Sequence, residues 1–359
     1  MVNRRLPRFL LIAIGVAAAG ACTAPVDLSA VQKYASTTAA AGASFSALAA
    51  DFQASCARYN DAHDYVVNAA SSPTLPILVG DPSTAQLTDA VSIAALVLQP
   101  GYQFVPVASS SSVPTPSPNV PAPIPTAMSN AATCENAADV SKAWGQANST
   151  VLAYVQSLGN LANVDAVPTI NPSPLASPLA KIGVSSSAIQ ASSAILGSIA
   201  KFYTLQTSER DISRFLAEVN PSMPGATEAL RYVDAVYSIE LADEFIEIET
   251  QYGGFARTEL RNYDTIKGSS QGSINRRLAI AQRLLSTKAA VLSALTFINN
   301  QRQASAAYGS AIDQILKTHE QLYEASQRRA TLSDYLNVIQ TTGAPVLTDL
   351  DTLAKAVKK

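Results

Sequence analysis

Apolar and small side chains recur along this chain in alternating steps of four and three residues, and this spacing restricts the fold most. The first series lies between Leu28 and about Val67, and its positions are Tyr34, Thr38, Ala41, Phe45, Leu48, Phe52, Ser55 and Tyr59. A heptad series places its members on one face of an α-helix, where they pack against another helix. The stretch contains no proline and one glycine, Gly42, so its composition also favours a helix.

Three further helices are predicted before residue 253. The first extends from Cys134 to Leu161, and the second from about Ser185 to Val219, where Asn220-Pro221 prevents continuation. The third extends from about Gly225 to Tyr252 and carries its own apolar stripe. We expect Gly253-Gly254 to end this helix, because glycine is a poor helix former.

A very long helix is predicted to begin after Ser269 and to continue through Asn299 and Ala306. Leu316 and Tyr323, and later Leu336 and Ile339, extend or renew its stripe until Gly343-Ala344-Pro345, after which a short helix from Val346 to Val357 is expected. The basic residues Lys355, Lys358 and Lys359 suit the end of that helix. No alternation of apolar and polar residues is long enough for a sheet. The chain is therefore predicted to be all-α, an elongated antiparallel helical bundle with coiled-coil-like helices.

Residues 71–133 do not follow this pattern, because eleven prolines interrupt them. One short helix is predicted from Thr84 to Leu98. The segment Ser109 to Pro125 is typical of an exposed polyproline-like linker, and a ligand for a proline-recognising module is the alternative. We divide the chain into residues 1–21, 22–70, the proline-rich insert 71–133, and the helical bundle 134–359.

The N-terminus has the order of a bacterial export signal. Arg4, Arg5 and Arg8 precede an apolar run from Phe9 to Ala21, which is shorter than the roughly 20 residues of a membrane-spanning helix. The run ends in Ala19-Gly20-Ala21-Cys22, which resembles the lipobox of bacterial lipoproteins, although Ala19 replaces the usual leucine.

The lipobox resemblance implies thioether lipidation of Cys22 and cleavage before it. Thr23 follows the cysteine, where the absence of aspartate implies sorting to the outer membrane in a diderm organism. The alternative is ordinary signal cleavage near Ala21, which leaves Cys22 as a free thiol.

Cys56 and Cys134 remain once Cys22 is assigned to lipid. An even pair of cysteines in an oxidising compartment indicates a disulfide. Two buried free thiols are the alternative.

The charge of the chain argues against a nucleic-acid partner. Removal of residues 1–21 leaves 22 basic and 27 acidic side chains, so the mature chain has no basic excess. We expect no nucleic acid among its partners.

No catalytic constellation is visible in the sequence. His63 and His319 lack a glutamate three residues earlier, which excludes the Glu-x-x-His pattern of di-metal bundles. His63 lies beside Asp61 and Asp64, a pattern that fits acid-base work but is commoner at a polar helix end. Neither a nucleophile elbow nor a phosphate-binding loop is present. We therefore predict no catalytic residues, no metal and no cofactor, and a protein that is not an enzyme.

Acidic residues at steps of three and four form the most acidic helical face: Glu240, Asp243, Glu244 and Glu247. This face suits a weak cation site or a basic partner. A solvated face, opposite a stripe of Leu241, Phe245 and Ile248, is the alternative.

Two functions fit these patterns. The first is a lipid-anchored scaffold that faces the periplasm or the cell surface and binds another envelope protein. The second is a membrane-active protein built like α-helical pore-formers, with residues 76–106 as the inserting segment. The sequence leaves open whether the helices pair within one chain or between copies of the chain.

Overall fold

The computed structural model describes residues 28–71, 134–159, 176–202 and 209–358. These residues form nine α-helices and no strand, so the all-α prediction is confirmed for the described part of the chain. The helices are α1 (Leu28–Asn60), α2 (Ala62–Ser71), α3 (Ala137–Gly159), α4 (Ala176–Lys181), α5 (Ser186–Phe202), α6 (Glu209–Val219), α7 (Met223–Thr265), α8 (Gln271–Gln327) and α9 (Leu332–Val357). The predicted elongation of the bundle stays a prediction.

The heptad face of α1 lies in the core. All its positions from Tyr34 to Ser55 are buried, and only Tyr59 is half-buried. Helix α3 lies antiparallel to α1, because Gly159 adjoins Ala35 while Leu152 adjoins Gly42. At Asp61 a single-residue turn separates α1 from α2, and backbone hydrogen bonds cross it from Asp61 to Ala57 and from Tyr65 to Asp61.

Helix α8 begins where the sequence predicts. The side chain of Ser270 caps it by accepting a hydrogen bond from the backbone N–H of Ser273. The helix continues without a break to Gln327, and α9 begins after a tight turn in which Arg329 has a φ of 55°. The very long helix is confirmed.

The predicted stop at Gly253-Gly254 is wrong, because α7 continues through both glycines to Thr265. Tyr252 and Ala256 are buried on either side of them. Packing of these neighbours outweighs the roughly 1 kcal/mol per glycine that opposes a helix.

The predicted single helix over residues 185–219 is also wrong. Phe202 at the end of α5 stacks on Phe215 in α6 with ring centroids 4.3 Å apart. Thirteen residues of one straight helix would separate them by about 20 Å. Residues 186–219 therefore do not form one straight helix, because the end of α5 packs against α6.

Gly343-Ala344-Pro345 does not end a helix, contrary to the prediction, since α9 continues from Leu332 to Val357 with Pro345 inside it. Proline has no N–H to donate to the carbonyl group one turn earlier in the helix. Pro345 is exposed, so water can bind that carbonyl group instead. Gly343 is buried against the ring of Tyr34, and a Cβ there would lie 2.8 Å from the ring. The glycine permits α1 and α9 to approach closely.

One hydrophobic core joins α1, α2 and α3 to the helices that follow them. Its centre is aromatic: Trp144 contacts Tyr237 and Tyr308, and Phe45 meets Tyr308 edge to face at 5.0 Å. Trp144 is fully buried and anchors this packing.

Helix α8 alone among the described helices is long and apolar enough to cross a membrane, and only a third of its most apolar window is buried. A single helix of this kind is weak evidence, because core helices of soluble proteins meet the same criterion. The export signal, Cys22, the proline-rich insert and its proposed inserting segment all lie outside the described residues.

Candidate functional site

The acidic face of α7 is partly inside the protein. Glu240 and Glu244 are 2% and 0% exposed, while Asp243 and Glu247 are half-buried. The interpretation as a solvated face is therefore wrong for Glu240 and Glu244. Helix α7 packs against α1 and α2 as well as α8, so more than one of its faces is covered.

Glu244 binds side chains of α1. Ser55 Oγ donates to Glu244 Oε2 over 2.7 Å, and Arg58 Nη2 donates to the same oxygen over 3.1 Å. Arg58 also binds Asp51 through Nη1 and Nη2, at 2.9 and 3.1 Å. Tyr237 OH donates to Asp51 Oδ2 over 2.6 Å. We call these five residues the buried ion cluster.

Two carboxylates surround one guanidinium in the buried ion cluster. Burial raises the pKa of Glu244, and the hydrogen bond and charge of Arg58 oppose that rise. Burial lowers the pKa of Arg58, but Glu244 and Asp51 outweigh burial and raise it overall. Arg58 also lies 5.0 Å from the centre of the Phe297 ring, at cation–π distance. The guanidinium is therefore charged and occupies the oxygens that an external cation would need.

Cys56 and Cys134 are brought together as predicted. Their sulfur atoms are at bonding distance and their Cα atoms are 5.3 Å apart, within the range of a disulfide. The pair joins α1 to the residues that precede α3.

Glu240 lies beside this pair, with Oε2 3.7 Å from Cys134 Sγ. Two thiolates and a carboxylate would suit zinc, and the three ligand atoms lie within 4.8 Å of one another. Sulfur atoms that are bonded to each other cannot both act as thiolate ligands, so the oxidised pair does not fit a metal. The sequence contains no signal for this contact, because Glu240 is 106 residues from Cys134.

The remaining predicted site residues lie nearer the surface. Gln251 Nε2 donates to Glu247 Oε1 over 2.6 Å, and Gln251 Oε1 lies 3.3 Å from His63 Nδ1. His63 is exposed next to the short turn between α1 and α2. This position agrees with the interpretation of His63 as part of a polar helix end.

A second polar network, which the sequence did not predict, crosses the centre of the bundle. Trp144 Nε1 donates to Tyr308 OH over 2.9 Å, and Tyr308 OH donates to Asn148 Oδ1 over 2.6 Å. The only available signal was the single tryptophan, which usually finds a partner for its N–H when buried.

Asp234 is a buried carboxyl on α7. Burial raises its pKa to about 7, against the opposing effect of a hydrogen bond from Ser305 over 2.7 Å. Asp313 adds to the rise, whereas Arg231 opposes it. Asp234 therefore titrates near neutral pH.

His319 is fully buried and its Nδ1 lies 2.7 Å from Tyr154 OH. Burial lowers its pKa to about 4, so the imidazole is neutral at pH 7. Nε2 has no hydrogen-bond partner among the residues that the structure describes. The signal in the sequence was that residue 319 lies on the inner stripe of a long helix.

These polar groups mostly bind one another between helices. A groove of about 820 Å³ between α6 and the turn before α9 is lined by Arg210, Asp211, Arg214 and Arg329 among others, and it lacks a histidine or cysteine. The arrangement is suited to holding helices in register.

No protein family, no curated protein and no solved structure matches this chain.

Proposed function

We propose that this protein is a lipid-anchored scaffold of the bacterial cell envelope, attached through Cys22, which binds another envelope protein through its helical bundle. The N-terminal sequence carries the proposal, because a basic segment and an apolar run end at a lipobox-like cysteine. Helix α1 begins only six residues later, at Leu28. A diacyl thioether with an added N-acyl chain exceeds the marginal binding of a single acyl chain and anchors the protein stably. Thr23 favours the outer membrane.

The interior supports a structural role. The buried ion cluster and the Trp144–Tyr308–Asn148 network join distant helices through side chains that satisfy one another. Rigid helices that are cross-linked in this way suit a protein that presents a surface.

The outer face of α7 is the partner surface that we favour. Ile239 and Ile246 are 45% and 58% exposed, and Asp243 lies between them on the same helical face. We call these three residues the α7 outer stripe. Two exposed isoleucines around a carboxylate suit a partner that is apolar with a basic group at its centre.

Replacement of Cys22 tests the anchor. We expect Cys22→Ser to move the protein from the membrane fraction to the soluble fraction, because the thioether cannot form. Thr23→Ser is the matched control and should fractionate as the parent does. Membranes are washed at high salt before fractionation, so that proteins held by charge alone are released. Membrane fractionation that Cys22→Ser still leaves unchanged contradicts the proposal.

A photo-crosslinking residue at position 246 tests the partner surface in intact cells. We expect it to capture an envelope protein, whereas the same residue at the exposed position of Gln303 on α8 should not. Capture of the protein itself alone, or equal capture at both positions, counts against the α7 outer stripe.

A further inference from the structure

The end of the α7–α8 hairpin has a charge opposite to that of the whole chain. We define the hairpin tip as residues 255–285, which comprise the end of α7, the connection and the first turns of α8. The whole chain has 27 acidic and 25 basic side chains. The hairpin tip has six basic residues (Arg257, Arg261, Lys267, Arg276, Arg277 and Arg283) and two acidic ones (Glu259 and Asp264). A cationic surface is therefore concentrated at one place.

Most of these cations have no internal counter-charge. Arg283 pairs with Glu259 over 2.6 Å. Among the residues that the structure describes, the other five cations form no ion pair, and Asp264 is the one acidic side chain left at the tip. Arg257, Arg261, Lys267 and Arg276 are exposed, so their charges face solvent.

The hairpin tip is held by apolar packing. Tyr263, Ile274, Leu278 and Leu285 pack around the buried Ala281, and Tyr263 and Leu285 also pack against the main core. Arg277 Nη2 donates to Gly268 O over 3.2 Å and thereby ties the connection to α8. The exposed cations are thus held on a defined scaffold.

The hairpin tip is at the opposite end of α8 from the start of α1. Phe45 on α1 contacts Tyr308, whereas Tyr65 on α2 donates from its OH to Ala290 O over 2.9 Å. Later residues of the first two helices thus contact earlier residues of α8. By the same progression, Leu28 at the start of α1 lies near the last residues of α8, away from the hairpin tip. The 57 residues of α8 measure about 85 Å.

We propose that the hairpin tip binds the phosphate groups of an anionic lipid surface. Four of the five unpaired cations are arginines, whose planar guanidinium can donate two hydrogen bonds to one phosphate. They lie on both helices at the end of the hairpin. Taken with the lipid at Cys22, and therefore resting on the proposed function, the protein bridges two surfaces.

The test uses protein with Cys22→Ser, so that an acyl chain does not contribute, and vesicles that are sedimented with bound protein. We expect binding to vesicles of phosphatidylglycerol and phosphatidylcholine and none to pure phosphatidylcholine. Each basic residue near an anionic surface contributes roughly fivefold to binding. Loss of three such contributions alone weakens binding about 100-fold, and the new carboxylates repel the surface, so we expect Arg257→Glu with Arg261→Glu and Arg276→Glu to weaken binding at least about 100-fold. High salt should abolish binding.

A control with the same charge change replaces three exposed cations near the other end of α8: Lys317→Glu, Arg328→Glu and Arg329→Glu. We expect this variant to bind as the parent does, and inorganic phosphate at matched ionic strength not to displace either protein. Thermal melts verify that both variants are folded.

Several results would overturn the inference. The first three are absence of binding to anionic vesicles, an equal loss of vesicle binding in both triple variants, and displacement of the protein by free phosphate. The fourth is binding to soluble polyglutamate without binding to vesicles, which would indicate that the ligand is an acidic polypeptide. The anchor is tested separately, because vesicle binding does not depend on Cys22. If the protein does not bind anionic vesicles but its membrane fractionation depends on Cys22, the inference about the hairpin tip is wrong and the proposed anchor stands.

Discussion

Glu244 on α7 and Arg58 on α1 form an ion pair between residues 186 positions apart, with the carboxylate fully buried and the guanidinium 30% exposed. Arg58 also binds Asp51, so a single cation serves two carboxylates. Loss of one member of such a cluster is more harmful than replacement of the pair, because it leaves a buried charge without a partner.

We expect Arg58→Met to lower the free energy of unfolding by about 3 kcal/mol, since both carboxylates lose their cation. The double variant Arg58→Met with Glu244→Leu should be more stable than Arg58→Met alone. Urea denaturation measures both values. A double variant that is less stable than Arg58→Met alone would contradict this expectation, because it would show that the two side chains contribute independently to stability.

Reduction of the Cys56–Cys134 pair should lower the melting temperature. The two cysteines are 78 residues apart, and closure of a loop of that length stabilises by about 4 kcal/mol in the chain-entropy account. Melting with and without reductant measures the effect, with Cys22→Ser as the control that retains the pair. Thiol labelling of the unfolded, unreduced protein at residues 56 and 134 would contradict the bridge.

Asp234 and His319 should give opposite dependences of stability on pH. The pKa of Asp234 is raised in the folded state from 3.8 to about 7, so the folded protein binds more protons than the unfolded chain between these values. Its contribution to stability therefore falls as pH rises through this window. The pKa of His319 is lowered from 6.5 to about 4, so its contribution is lost as pH falls through that window.

The two variants Asp234→Asn and His319→Gln separate these effects. Relative to the parent, Asp234→Asn should gain up to about 4 kcal/mol between pH 4 and pH 7, and His319→Gln should lose up to about 3 kcal/mol. Denaturant titrations at four pH values measure the differences. Parallel pH profiles for parent and variant would show that the residue does not titrate in this window.

Gly343→Ala should destabilise the protein by about 2 kcal/mol, because the new methyl group would lie 2.8 Å from the buried ring of Tyr34. Gly254→Ala is the matched control in the interior of α7, where a Cβ meets nothing within 4 Å. We expect that change to stabilise by about 1 kcal/mol through helix propensity alone. Melting temperatures that fall equally in both variants would contradict the close approach of α1 and α9.

The helical class, the inner face of α1, the long α8 and the pairing of Cys56 with Cys134 could be predicted from the sequence. Each depends on periodicity, composition or cysteine number, which are properties of the chain itself. Tertiary structure alone decided that α7 continues through Gly253-Gly254, that α9 continues through Pro345, and that Glu240 and Glu244 are buried. These outcomes depend on contacts between residues far apart in the chain, such as Arg58 with Glu244 and Tyr34 with Gly343, whose packing energies exceed local preferences and leave no trace in local sequence spacing.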